Sequence, residues 1–151
     1  MSTAGLDVDD AIRTLLLLLP RLVGRVKRAK VPDEVVPLEL APRHLSLLAY
    51  LLFDDELSVN ELAERLEIAP TTVSLMVTEL SRKGVLERRE DPADLRRRLV
   101  SIAPARRPAI DQWLGQSATA WREALEPLTP EQRRVFVETL AAYEGALRDQ
   151  R

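Results

Sequence analysis

Side chains able to do covalent or metal chemistry are scarce in this sequence. There is no cysteine and one histidine, His44. Thiolate nucleophiles, disulfides, thiol redox sensing and multi-histidine metal sites are therefore excluded, and any catalytic triad would have to pass through that single position. The carboxylate pairs Asp9-Asp10 and Asp54-Asp55 are adjacent in sequence, an arrangement of solvated turns and helix starts rather than of acid/base couples. The five glycines form no phosphate-cradling spacing. The sequence thus predicts no enzyme, no cofactor and no metal site. Guanidinium is what it holds in abundance. Residues 82–107 carry nine basic side chains (Arg82, Lys83, Arg88, Arg89, Arg96, Arg97, Arg98, Arg106 and Arg107) against four acids, a local excess of +5 in a chain of net charge −2. An acidic body with one basic segment suits a protein that grips a polyanion at one place, a solvated charged surface being the plain alternative.

Those cations need elements to hold them. With 151 residues, 46% hydrophobic and only 4% aromatic, the chain can form one compact domain, or two small ones sharing a core, packed mainly by aliphatic side chains. Near the amino terminus Ile12, Leu15, Leu16, Leu19, Leu22, Val23 and Val26 recur at the spacing of an apolar helical stripe, which Pro20 is expected to kink or break. The apolar run 15–19 is far short of a membrane span, and Asp7, Asp9 and Asp10 stand where a secretory signal would need positive charge. A cytoplasmic protein without membrane contact is expected. A second stripe runs from about Pro104 through Ile110, Trp113, Leu114, Trp121 and Leu125 to a stop at Pro127. The two tryptophans fall on one face, as core or interface residues. A third helix starts at Thr129-Pro130-Glu131-Gln132, an N-cap with proline in the first turn, and Val135, Phe136, Leu140, Tyr143 and Leu147 are its expected buried face. Long apolar helices at both ends of so short a chain point to an intertwined homodimer.

The middle reads differently. Pro42 opens a helix through Leu45, Leu47, Leu48, Leu51 and Leu52 that ends in the acidic turn at 53–56. Ser58-Val59-Asn60-Glu61 is a capping box, followed by core positions Leu62, Ala63 and Leu66. Pro70 starts a second short helix whose inner face is Val73, Met76, Val77 and Leu80 and whose stop is Gly84. Its outer face shows Thr71, Thr72, Ser74, Leu75 and Thr78. Segments 85–90 and 98–102 then flank the turn Asp91-Pro92-Ala93-Asp94 as a hairpin with an arginine-rich loop. On duplex DNA this order has a mechanical meaning. A helix lined by short hydroxyl side chains enters a major groove about 12 Å wide, while hairpin-tip arginines reach the neighbouring minor groove. An ordinary helix pair and a solvated loop are the alternatives taken singly, and the joint pattern favours DNA.

The segments Leu57 to Leu66, Pro70 to Ser74, Leu80 to Arg88 and Asp91 to Ile102 together resemble the winged helix of MarR-type transcriptional regulators, with Asp94-Leu95-Arg96 similar to that family's Asp-x-Arg wing element. The resemblance covers nearly the whole chain. It implies a mainly α (α+β) fold: a winged helix-turn-helix over 39–103 with a small β-hairpin wing, flanked by dimerisation helices in 1–38 and 104–151. It also implies that the segment from Pro70 to Thr78 is the recognition helix, that Arg96 is the minor-groove residue of the wing and that Asp94 is the partner ordering that loop. Arg97 and Arg98 are then expected on phosphates, with Arg82 and Lys83 completing the DNA-binding set. The sequence departs from the family pattern at several places. Leu75 and Glu79 stand where basic residues are frequent. Ala41, Ala69 and Ala103 stand where helix-capping hydroxyls are usual, and Glu67 and Arg106 where glycines are common.

The expected function is that of a homodimeric regulator binding double-stranded DNA at a pseudo-palindromic operator, a ligand-responsive repressor. The alternative, prompted by Leu75 and Glu79, is a winged-helix ligand- or protein-binding module with weak or lost DNA binding. The resemblance further implies a small aromatic or anionic effector, for which Arg43 and His44 are the candidate residues. A histidine simply hydrogen-bonded at its helix start is the other reading of His44.

Overall fold

The structure, a computed structural model, describes residues 5–150. Contacts divide these into two units, 5–31 and 32–150. The first is α1 (Val8–Arg28), capped by Asp7, whose carboxylate accepts the Asp10 N–H at 2.9 Å. The helix is not broken at Pro20 but continues through it, giving up one backbone donor at that turn. None of its residues is buried, and Ile12, Leu15, Leu16, Leu22, Val23 and Val26 are all exposed. Among the described residues no helix is long and apolar enough to cross a membrane.

The second unit contains, in order, α2 (Pro42–Asp54), β1 (Glu56–Ser58), α3 (Val59–Leu66), α4 (Pro70–Arg82), β2 (Leu86–Asp91), β3 (Asp94–Ile102), α5 (Arg107–Leu125) and α6 (Pro130–Arg148). One core joins most of them. Leu47, Leu48 and Leu51 of α2, Leu62 of α3, Val73, Val77 and Leu80 of α4, Val100 of β3 and Ile110 of α5 lose essentially all solvent contact. Burying each leucine or isoleucine contributes about 1.5–3 kcal/mol relative to leaving it in water, so this cluster fixes how α4 is presented.

The sheet is antiparallel in the order β1-β3-β2. The hairpin forms where the sequence predicts it, with Asp91 opposite Asp94 and a two-residue tip. β1 is an addition: Leu57 pairs with Val100, and a three-residue strand is too short for alternation to reveal it. Two expectations are corrected here. Ala103 is not the cap of α5: its N–H is taken by the Val85 carbonyl at 2.8 Å, and α5 begins only at Arg107, with Arg106 as its N-cap. The face of α6 expected to be buried is instead open: Val135, Phe136, Leu140, Tyr143 and Leu147 are all exposed. Phe136 does meet Trp121 of α5, ring to ring at 5.8 Å and tilted by 54°. Periodicity identifies a face that needs cover, and the 32–150 unit has no further element to supply it.

Candidate nucleic-acid interface

The inner face of α4 is anchored by Val73, Met76, Val77 and Leu80, all buried, which fixes the direction of the opposite face. On that face Thr71, Thr72 and Ser74 are exposed and Leu75 stands 72% exposed. Thr78 is half-buried and its hydroxyl donates to the Ser74 carbonyl at 2.9 Å, leaving it an acceptor and a methyl group to present. The turn into α4 is set from α3. Ser58 Oγ accepts the Glu61 N–H at 3.1 Å and donates to Glu61 Oε1 at 3.1 Å, so the predicted capping box closes through the hydroxyl rather than through the Ser58 backbone. Glu67 ends α3 at φ 55, ψ 40, a left-handed conformation in which glycine would be less strained. That explains why this position favours glycine. Arg106, at φ −100, has no such requirement.

The wing is ordered by its two aspartates acting on backbone. Asp91 Oδ1 accepts the Ala93 N–H at 2.9 Å, and Asp94 Oδ1 accepts the Arg96 N–H at 3.0 Å. Asp94 thus orders the loop through the Arg96 main chain, which leaves the Arg96 side chain free. Alternation along β3 puts Arg96 and Arg98 in line with Val100 and Ile102; beyond the core that face is solvent, and both arginines are exposed. Arg97 points the other way and pairs with Glu61, with Asp91 at 3.9 Å.

Other members of the basic segment are also spoken for. Arg89 makes a two-pronged contact with Glu56, 2.6 and 3.0 Å, tying β2 to β1 across the sheet. That bond raises the Arg89 pKa and holds Glu56 below its ordinary value. Arg107 donates to the Leu52 carbonyl and to Asp55. Lys83, expected on DNA, turns inward: its ammonium donates to the Leu38 carbonyl at 2.7 Å and lies 3.8 Å from Glu79. Among the described residues Arg82, Arg88, Arg96 and Arg98 form no ion pair and are exposed. Arg88 was not singled out as a contact from the sequence, although the charge count included it.

Glu79 is the residue whose role the sequence hid. Its carboxylate lies 3.4 Å from Arg43, 3.5 Å from His44 Nε2 and 3.8 Å from Lys83. Partial desolvation would raise its pKa, but His44, Arg43 and Lys83 together hold it below the ordinary value. A glutamate whose free carboxylate would repel phosphate is thus occupied by cations of its own protein. His44 is fully buried and accepts the Ala41 N–H on Nδ1 at 3.0 Å, so it caps α2 where Ala41 offers no hydroxyl. With Nδ1 accepting, the proton of the neutral ring sits on Nε2, facing Glu79 without a formed hydrogen bond. Burial, with Arg43 and Lys83 adding to it, keeps the His44 pKa below 6.5 against the opposing pull of Glu79. Arg43 and His44 therefore meet at Glu79, at the junction of α2 with α4.

A model of the MarR family matches residues 38–97, the span from Leu38, shortly before α2, into β3 of the wing. The HTH-type transcriptional repressor MdtR of Bacillus subtilis is 34% identical over 100 residues, which are 64% of this chain and 61% of that protein. The match spans about three fifths of the length of the curated relatives. The crystal structure of the PcaV transcriptional regulator from Streptomyces coelicolor, in complex with its natural ligand, superposes with a TM-score of 0.61 at 21% identity, covering 96% of this chain and 99% of that one. A point mutant of MepR from S. aureus bound to an oligodeoxyribonucleotide gives a TM-score of 0.56 at 20% identity, over 87% and 96% of the two chains. These two share the fold.

Proposed function

Because the winged-helix residues 38–97 match a model of the MarR family, we propose that the chain is a homodimeric, cytoplasmic transcription regulator of that family that binds a pseudo-palindromic duplex operator and represses by occlusion. The observation that carries this reading is the exposed pairing of α4, with its open hydroxyl face, and a wing whose Arg96 and Arg98 are left without acidic partners in an otherwise acidic protein. The terminal segments 1–38 and 104–151 supply the dimer contacts, setting two copies of α4 about 34 Å apart, one turn of B-DNA. Thr71, Thr72, Ser74, Leu75 and Thr78 face the major groove. Arg96 enters the minor groove, and Arg82 and Arg98 lie on phosphates. Lys83 and Arg97 act from behind, Lys83 through Glu79 and Arg97 through Glu61.

The occupation of Glu79 by Arg43 and Lys83 supports DNA binding over a winged module that has lost it, since no unpaired carboxylate is then offered to phosphate. MepR bound to an oligonucleotide and PcaV bound to its ligand support the same pair of partners, duplex DNA and a small molecule. An anionic effector at Arg43 would compete for the guanidinium that holds Glu79 and so reach α4 directly. The test is to sequence genomic fragments retained by the purified protein and by Arg96→Ala. Specific fragments are expected with the unmodified protein, with affinity falling steeply in salt. Arg96→Ala loses most of that retention and lowers the salt slope by about one per subunit. Retention that is indifferent to salt and to Arg96 would overturn the reading.

A further inference from the structure

Base recognition in the major groove uses a short list of side chains. Arginine and lysine pair with guanine, asparagine and glutamine with adenine, carboxylates with cytosine, and apolar groups with the thymine methyl. From Pro70 to Leu80, the first three turns of α4, there is no arginine, lysine, asparagine or glutamine. The one carboxylate, Glu79, is held by Arg43 and Lys83. What remains on the open face is hydroxyls, which discriminate weakly because they both donate and accept, and one aliphatic side chain. A lone exposed leucine means little by itself. Leu75, however, stands 72% exposed at the middle of the face, with Thr71 and Thr72 one turn before it and Thr78 one turn after.

We propose that Leu75 is the specificity-determining residue of this helix and that it reads the 5-methyl group of a thymine in the major groove of each half-site. The inference rests on the DNA-binding reading above. Docking removes both the leucine side chain and the thymine methyl from water without asking either to give up a hydrogen bond, so the favoured base is selected by an apolar contact alone. The wing and the phosphate contacts then supply affinity that does not depend on this base.

The test uses the full-length protein and duplexes selected from a random pool, first with thymine throughout. The recovered consensus is resynthesised with deoxyuridine replacing thymine one position at a time, which deletes the methyl and keeps the pairing. At one position per half-site the unmodified protein is expected to bind about fourfold more weakly, the worth of one buried methyl. 5-Methylcytosine at that position, in place of cytosine, recovers part of the loss. Leu75→Ala binds the thymine and deoxyuridine duplexes equally, whereas Leu75→Met keeps the discrimination. Arg96→Ala weakens both duplexes by the same factor. Equal binding of thymine and deoxyuridine duplexes by the unmodified protein would overturn the proposal while leaving DNA binding intact. Failure to enrich any duplex would instead overturn the DNA-binding reading, and this inference with it.

Discussion

Helices α4 and α6 are both amphipathic, and they are stabilised in opposite ways. α4 starts from Ala69, which has no side-chain cap, yet four of its thirteen residues are buried. α6 starts from a complete capping box, in which Thr129 and Gln132 each satisfy the other's backbone N–H, at 3.2 and 2.9 Å, yet none of its nineteen residues is buried. One helix is held by tertiary packing without local help, the other by local chemistry without a packed face. The difference teaches that an apolar stripe states a demand for cover and not its source. The α4 stripe finds cover within its own chain, and that of α6 requires a second surface, in our reading another copy of the protein.

The comparison can be broken at each end. The largest effect is expected for Leu80→Ala, which opens a cavity in the core beneath α4 and should cost about 2–5 kcal/mol of stability in urea denaturation, at any protein concentration. Next, Leu140→Glu on the open face of α6 should leave the winged helix folded and weaken self-association by about thirtyfold or more, as loss of an interface hot spot does. Sedimentation velocity checks this, and the melting temperature of the unmodified protein alone should rise with concentration. A melting temperature that ignores concentration would mean that α6 needs no partner. Thr129→Ala should cost about 1 kcal/mol, whereas Ala69→Ser at the uncapped start of α4 should gain a similar amount, both read by thermal melts.

The smallest effect concerns pH. The folded pKa of His44 lies below its ordinary 6.5, so in the window beneath 6.5 the unfolded chain binds a proton that the folded chain refuses. Stability is then complete above 6.5 and declines as pH falls through that window. His44→Gln, which keeps an acceptor for the Ala41 N–H, should flatten the decline in pH-dependent melts. Glu79, whose folded pKa is depressed below 4.5, contributes its own loss only at lower pH. The two contributions therefore separate.

Much of the winged helix was legible because its signals are local. Ser58 and Glu61 mark one helix start, Pro70 another, and Gly84, at φ 73, the end of α4, since each rests on backbone chemistry within a few residues. The turn at 91–94 was legible for the same reason, with Asp91 and Asp94 bonding to amides two residues on. Contacts distant in sequence were not legible. Nothing near Glu79 says that Arg43, 36 residues earlier, will take its charge, nor that Arg97 will turn to Glu61 while its neighbours Arg96 and Arg98 stay free. β1 escaped because three residues carry no period.

The sequence by itself determined the kinds of element, their order, the hydroxyl face of α4 and the basic character of the wing, because helix caps, turn chemistry and periodicity act over one or two turns of chain. Only the tertiary structure decided which charges remain available to a partner. Ion pairing depends on distances of a few ångströms between residues far apart in the chain, and the packing of α2, α3 and the sheet around α4 sets those distances.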